Sequence, residues 1–432
     1  MPMKMIMAGT VFLLLILTGG LARAEEVNCT ACHKNVTPNI VTDWELSRHG
    51  QNQIDCSACH GSEHKSEKDV KKARIPTPEV CAQCHEEKVR EYKNGKHAQA
   101  WSSMKAMPTF HYQPMVMIEG MKGCGGCHKL GLKTEAEIKE LSKAGRGFGM
   151  ASCDACHTRH LFSVTEASQP QACQTCHMGF DHPQWEMYST SKHGVRYLLK
   201  QAKALPETAA APKCQTCHLP GGNHANQTAW GFLAVRMPLP EDKQWAQDRT
   251  TVMQALGVLD PEGKTTSRLE VVKNAKVVRL TQEDWQKERD KMLTICNQCH
   301  SLNYAKEELV KSDQIIQTAD HIMAEAVRIV ADLYKDGLLK KPKEYRYAYP
   351  DLLTFHDATT VIEEKLFLMF FEYRMRTFQG SFHMNPDYAF WYGYSKMQLD
   401  LVEIKDLAEE MRYRKSEKPV AGNPSTELRT SK

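Results

Sequence analysis

No cysteine of this 432-residue chain stands alone, because all 16 fall into eight copies of Cys-x-x-Cys-His. With none left over, the chain lacks the thiols that a disulfide framework needs, and eight copies are too many for a single metal knuckle. Net charge is also scarce, at +4, which is too little to argue for nucleic acid as a partner. Aromatic residues make up 8%, charged residues 25% and hydrophobic residues 41%, a balance that excludes a disordered chain. Beyond the first residues no apolar run approaches about 18 residues, so a polytopic membrane protein is excluded as well.

The opening segment reads as an address. Lys4 supplies a positive start, Met5 to Leu17 is mostly apolar, and Ala22-Arg23-Ala24 is a small-residue cleavage site. Residues 1–24 are therefore expected to be a signal peptide. The expected result is an exported, periplasmic protein with no stable membrane span after cleavage. Export would carry 16 thiols into an oxidising compartment, where they need capping.

The motifs supply the cap. Their cysteines are Cys29/Cys32, Cys56/Cys59, Cys81/Cys84, Cys124/Cys127, Cys153/Cys156, Cys173/Cys176, Cys214/Cys217 and Cys296/Cys299. They end at His33, His60, His85, His128, His157, His177, His218 and His300. Two thiols three residues apart add to the two vinyl groups on one edge of a haem, and the next residue presents its imidazole to the iron. Zinc and iron–sulfur sites built from paired cysteines do not require that histidine. Eight covalent c-type haems are expected, at roughly 50 residues per haem, so porphyrin must form much of the core and adjacent haems must lie close. Their propionates would add roughly −16 of charge.

Eleven of the 19 histidines lie outside the motifs. An electron-carrying haem takes about one further ligand each, and a catalytic haem keeps one position open, so the count alone leaves both uses possible. His49, His97 and His193 are each followed by a small residue, which allows a flat ring to approach the backbone. His160 and His224 follow closely after motif histidines. Asp181 and His182 stand side by side before Pro183. Such a pair suits proton delivery at a bound ligand, or else a structural turn.

The linking strings carry more information than the motifs. CDACHTRHLFS at 153–163, CQTCHMGFDHPQWEMYSTSKHG at 173–194, CQTCHLPGGNHANQTAWGFLAVR at 214–236 and ICNQCHS at 295–301 resemble the octahaem hydroxylamine oxidoreductase family over roughly residues 27 to 415. The last five motifs, with Phe382, His383 and Pro386, also resemble the pentahaem nitrite reductases. The resemblance implies that the motif of Cys124, Cys127 and His128 holds the catalytic haem, open on its far side, with Asp181 and His182 handling protons there. It implies His97, His193, His224 and His383 as distal ligands of later haems, and His49, His64 and His160 of the first part, leaving His111, His321 and His356 without a role. Oxidising members tie the catalytic porphyrin to a tyrosine of a neighbouring subunit, and reducing members do not. Tyr388, Tyr392 and Tyr394 are the choices here, with Tyr388 preferred, although the chain is short for an oxidising member. The implied function is oxidation of hydroxylamine or hydrazine, or reduction of nitrite, NO or hydroxylamine in the reverse direction. A non-catalytic multihaem electron carrier is the alternative. The implied partners are a small nitrogen compound, an external cytochrome c or quinone-linked electron partner, and two further copies in a homotrimer.

The expected fold is mainly α, with little sheet: a haem-packed domain over 25–300, a helical domain over 301–415 and a loose tail over 416–432. Ile315, Ile316, Ala319, Ile322, Met323, Ala326, Val327, Val330 and Leu333 recur at helical spacing, with Gly337 as a cap. A second helix runs from Val361 to Phe378, closed by Gly380. A third begins at Asn385-Pro386. Along it Phe390, Tyr394, Met397, Leu401, Ile404, Ala408 and Met411 form a seam of alternating four- and three-residue gaps, which serves either the chain's own core or, as the trimeric family suggests, self-association. Residues 240–290 read as a connection between the seventh and eighth motifs.

Overall fold

The structure, a computed structural model, describes residues 28–105, 125–143, 152–231, 233–268, 279–341, 349–353 and 358–417. The expected signal peptide, Cys124, His111, His356 and nearly all of the expected tail lie outside the described residues. Within them the regular secondary structure is helical, and the described residues hold one isolated β-bridge, between Leu259 and Thr265.

Nine helices orient the description: α1 (Pro78–Asn94), α2 (Gln184–Ser189), α3 (Lys192–Gln201), α4 (Lys243–Ala255), α5 (Gln282–Cys296), α6 (Leu302–Lys335), α7 (Val361–Leu368), α8 (Met375–Phe382) and α9 (Ser395–Glu417). A π-helical turn, Met369–Arg374, joins α7 to α8, and a second, Phe390–Tyr394, leads into α9. The N-terminal part is built of short helices. Three of them, Cys29–Val36, Arg48–Gln51 and Cys56–His60, bury no residue at all. Such elements cannot bury enough apolar surface to hold themselves together, which suits a region whose interior is porphyrin.

The C-terminal part has a protein core of its own. Ser301 caps α6 by accepting from the Tyr304 amide, and the helix runs about 50 Å by its length to Gly337, whose φ of +67° ends it. Its apolar face, Ala319 to Leu333, packs on Val252, Met253 and Leu256 of α4, on Leu366 of α7 and on Met397, Leu401, Ile404 and Ala408 of α9. Two expectations change here. The stretch read as a connection supplies α4, a full partner in this core. The seam of the third helix, for which the trimeric family suggests self-association, packs for the most part inside its own chain, with Met397 and Ile404 at 0% exposure and Phe390 at 47%. Gly380 lies within α8, where a β-carbon would stand 2.7 Å from the Ala389 nitrogen; it permits a close crossing and does not end the helix. Asn385 does cap the next turn, accepting from the Tyr388 amide with Pro386 behind it.

One buried ionic cluster ties these helices together. Asp320 on α6 receives Arg249 of α4 at 2.8 Å and Arg374 of the first π turn at 2.7 Å, all three side chains being at most 3% exposed. Trp245 adds an indole bond at 3.0 Å. Burial alone would raise the Asp320 carboxyl, but the two guanidiniums overcome it and hold it below the usual carboxylate range.

Candidate haem array

Two local structures present histidines in the same way. In Ser47-Arg48-His49-Gly50, the Ser47 hydroxyl donates to the Trp44 carbonyl at 2.7 Å and accepts from the Gly50 amide at 3.0 Å. In Ser191-Lys192-His193-Gly194, Ser191 does the same with Tyr188 at 2.8 Å and Gly194 at 3.3 Å. The glycine is required, because a β-carbon at Gly50 would lie 2.1 Å from the Trp44 oxygen and one at Gly194 would lie 1.9 Å from the Tyr188 oxygen. Each serine caps a helix whose second residue is the histidine.

Every motif histidine has a second histidine across from it. Ring centres are 6.1 Å apart for His33–His64, His85–His49, His177–His97 and His300–His193. They are 6.2 Å apart for His60–His160, His157–His224 and His128–His182, and 6.4 Å for His218–His383. Two imidazoles bonded to opposite sides of one metal, at about 2.0–2.1 Å each, hold their ring centres about 6 Å apart. The residues present therefore fit a haem between each pair. Burial pushes His97 and His218 down to about 4 and His177 to about 3, which keeps these rings in the neutral form that a ligand needs. Apolar side chains beside the motifs, Val36, Met178, Phe180 and Leu302, are exposed to the extent a porphyrin face would cover.

The motifs also touch one another. The Cys29 side chain meets that of Cys56, Cys81 meets Cys153, Cys173 meets Cys214, and Cys176 meets Cys127. The fourth motif thus joins the array through the sixth, and the third through the fifth, an order that the chain sequence does not show.

The attachment cysteines differ in their exposure. Cys32, Cys84 and Cys299 are exposed, whereas the other described motif cysteines are half-buried. Each of the three is the second cysteine of its motif, and none belongs to the sulfur contacts just named. The reason is the thin protein around them. Cys32 lies on a helix, Cys29–Val36, that buries no residue. Cys84 lies on α1, whose buried residues are Pro78, Val89 and Tyr92, and Cys299 lies in the turn beyond the end of α5. Attachment does not require burial, because a sulfur needs a vinyl carbon and not a cavity.

His182 is the least ordinary of the eight partners. Its Nδ1 lies 2.6 Å from Asp181 Oδ1. Its ring centre is 6.2 Å from His128 and also 6.2 Å from His177. Burial opposes the charged form of Asp181, yet the bond to His182 and its charge outweigh that and lower the carboxyl pKa. The loop is braced from α2: the Trp185 amide donates to the His177 carbonyl at 2.9 Å, Gln184 Oε1 lies 3.3 Å from His177 Nδ1, and Glu186 accepts from the Gly179 amide at 2.9 Å. The expected open face opposite His128 is therefore where His182 stands, at the spacing of the other seven pairs.

Tyr388 stacks on Tyr392 at 5.0 Å between ring centres and packs beside Gly380 of its own chain. Burial, with Glu186 nearby, raises its hydroxyl pKa. Tyr394 stacks on Phe390. His321 turns away from the array and meets Asp248 at 2.9 Å. Sequence reasoning did not find the side-chain acceptors behind the ligands, Asp69 behind His64 and Gln184 behind His177; only a chain fold relates them to their histidines.

The profile described as "Seven times multi-haem cytochrome CxxCH" matches residues 52–256 and 264–347, a span holding seven of the motifs, with Cys29–His33 ahead of it. The chain is 26% identical to the probable nitrite reductase-hydroxylamine oxidoreductase fusion protein of Kuenenia stuttgartiensis, covering 92% of this chain and 53% of that protein. It thus spans about half the length of the curated relative it matches. Among solved structures it is similar to a reducing HAO-like protein complex of Kuenenia stuttgartiensis, with a TM-score of 0.63 and 23% identity over 90% of this chain and 85% of that one. A hypothetical multiheme protein matches with a TM-score of 0.61 and 19% identity, over 93% and 99% of the two chains.

Proposed function

Because the chain belongs to the multihaem cytochrome CxxCH family and carries covalently bound c-type haems, we propose that it is an eight-haem oxidoreductase of small nitrogen compounds. Chemistry takes place at the haem of His128, and the other seven conduct electrons. The substrate is hydroxylamine or a relative undergoing oxidation, or nitrite, NO or hydroxylamine undergoing reduction. The observation that carries this reading is the placement of His182, which stands at the same distance from two motif rings and is bonded to a carboxylate. Each of the other seven partners faces one motif histidine among the described ring contacts.

When bound, haem iron supplies the coordination site and the electrons. The protein's own part is proton handling. Asp181 holds His182 by Nδ1 and leaves Nε2 as the ring atom through which the pair takes up or releases a proton as electrons move. Glu186 and Gln184 keep the loop in place while it does so. Electrons pass to or from an external cytochrome c or quinone-linked partner in the periplasm. Self-association, trimeric in the family the chain resembles, would use the outward face of α9 and of the π turn before it, where Trp391, Leu399, Val402 and Tyr413 are exposed.

A specific observation favours a second reading. His128 and His182 are as far apart as the ligand pairs, which suits a fully six-coordinate electron conduit. Electron paramagnetic resonance of the purified protein separates the two. A high-spin haem, or one that turns high-spin or binds hydroxylamine or nitrite on addition, supports the enzyme. Eight low-spin haems unchanged by either compound, oxidised and reduced, make it a conduit. His182→Ala should slow turnover with all eight haems attached, and unchanged activity would refute the proton role.

A further inference from the structure

Axial histidines differ in what stands behind them. His33 Nδ1 meets the Thr37 hydroxyl at 2.7 Å, His60 the Arg74 carbonyl at 3.1 Å, His128 the Ala100 carbonyl at 3.2 Å and His383 the Gln379 carbonyl at 2.8 Å. These acceptors are neutral. His64 is different, because its Nδ1 meets the carboxylate Oδ1 of Asp69 at 3.0 Å. The same oxygen accepts the amides of Lys65 at 3.0 Å and Ser66 at 2.8 Å, so the loop itself holds the carboxylate behind the ring. Its other oxygen lies 3.9 Å from Lys72 Nζ. Glu91 comes within 3.5 Å of His224 Nδ1 but makes no hydrogen bond to it.

The place of this pair in the array gives it consequence. The short helices that carry His33 and His60 bury nothing. The site of His33 and His64 is also the one whose motif lies ahead of the seven-motif match. Through Cys29 it meets the second motif at Cys56.

An imidazole that gives its Nδ1 proton to a carboxylate becomes a more basic ligand and favours the more highly charged state of the metal. We propose that Asp69 is a potential-setting residue, lowering the reduction potential of the haem held by His33 and His64. The inference does not depend on which nitrogen compound the protein handles, or on whether it handles one.

The test is a potentiometric titration of the eight-haem protein followed by optical and electron paramagnetic resonance spectra. Asp69→Asn keeps an oxygen for the Lys65 and Ser66 amides and removes the charge. One low-spin haem should then titrate at higher potential with an altered resonance, while the other seven stay where they were. Asp69→Glu, which restores the charge, should move that haem back toward its starting potential. His64→Met identifies the haem, because it must perturb the same resonance. If asparagine costs the haem, Asp69→Ser serves as the neutral variant. Eight unchanged potentials in a fully loaded neutral variant, or a shift confined to a haem that His64→Met leaves alone, would overturn the assignment.

Discussion

Asp181→Asn isolates the charge of the carboxylate behind His182. The bond is short, 2.6 Å, and asparagine can still accept it, so ring position and loop are retained. What is lost is charge assistance. A hydrogen bond to a charged group is worth about 1.5–3 kcal/mol against about 0.5–1.5 for a neutral one. The difference, about 1–2 kcal/mol, corresponds to roughly 5–30-fold in rate at 1.36 kcal/mol per tenfold. The side chains are 24% exposed for His182 and 33% for Asp181, and solvent screening pulls the effect toward the lower end of that range. Turnover of hydroxylamine with an oxidising dye, and of nitrite with a reducing one, should both fall by about that factor, since proton transfer serves either direction. Haem content by pyridine haemochrome should be unchanged. A fully loaded Asp181→Asn protein turning over within twofold of the parent in both assays would refute the idea that this carboxylate charges the ring.

Two further outcomes concern the frame. Asp320→Ala strands Arg249 and Arg374 in the core, and chemical denaturation should show a loss of about 3–5 kcal/mol; a loss under 1 kcal/mol would mean that the cluster does not hold α4, α6 and the π turn together. Ile404→Ala should cost about 2–5 kcal/mol of stability because Ile404 is buried in the chain's own core, while Val402→Ala, at 53% exposure, should leave monomer stability within about 0.5 kcal/mol. Equal losses at the two positions would place the seam of α9 elsewhere.

The covalent chemistry of this protein was legible because it is local. Two cysteines and a histidine within five residues are enough to hold a haem from one side, so each attachment could be read without knowing any contact. Helix signals were legible for the same local reason: Asn385-Pro386, Gly337 and the apolar face of α6 are matters of neighbouring residues. Gly380 misled because a glycine inside a helix serves either an end or a close crossing, and the crossing partner, Ala389, is known only from the fold. The seam of α9 left two readings open, since heptad spacing states that a face is buried and is silent about what buries it.

The sequence by itself determined the cofactor class, the residues that attach it and a mainly helical chain whose haem-bearing part lacks an ordinary apolar core. Tertiary structure alone decided which distant histidine faces which motif, that the fourth site joins the array through the sixth, that His182 stands opposite His128, and which ligands have a carboxylate behind them. The physical reason is reach. A proximal ligand is carried to its metal by the backbone next to its cysteines, whereas a ligand from the other side, or the acceptor behind it, arrives from wherever the packed chain returns.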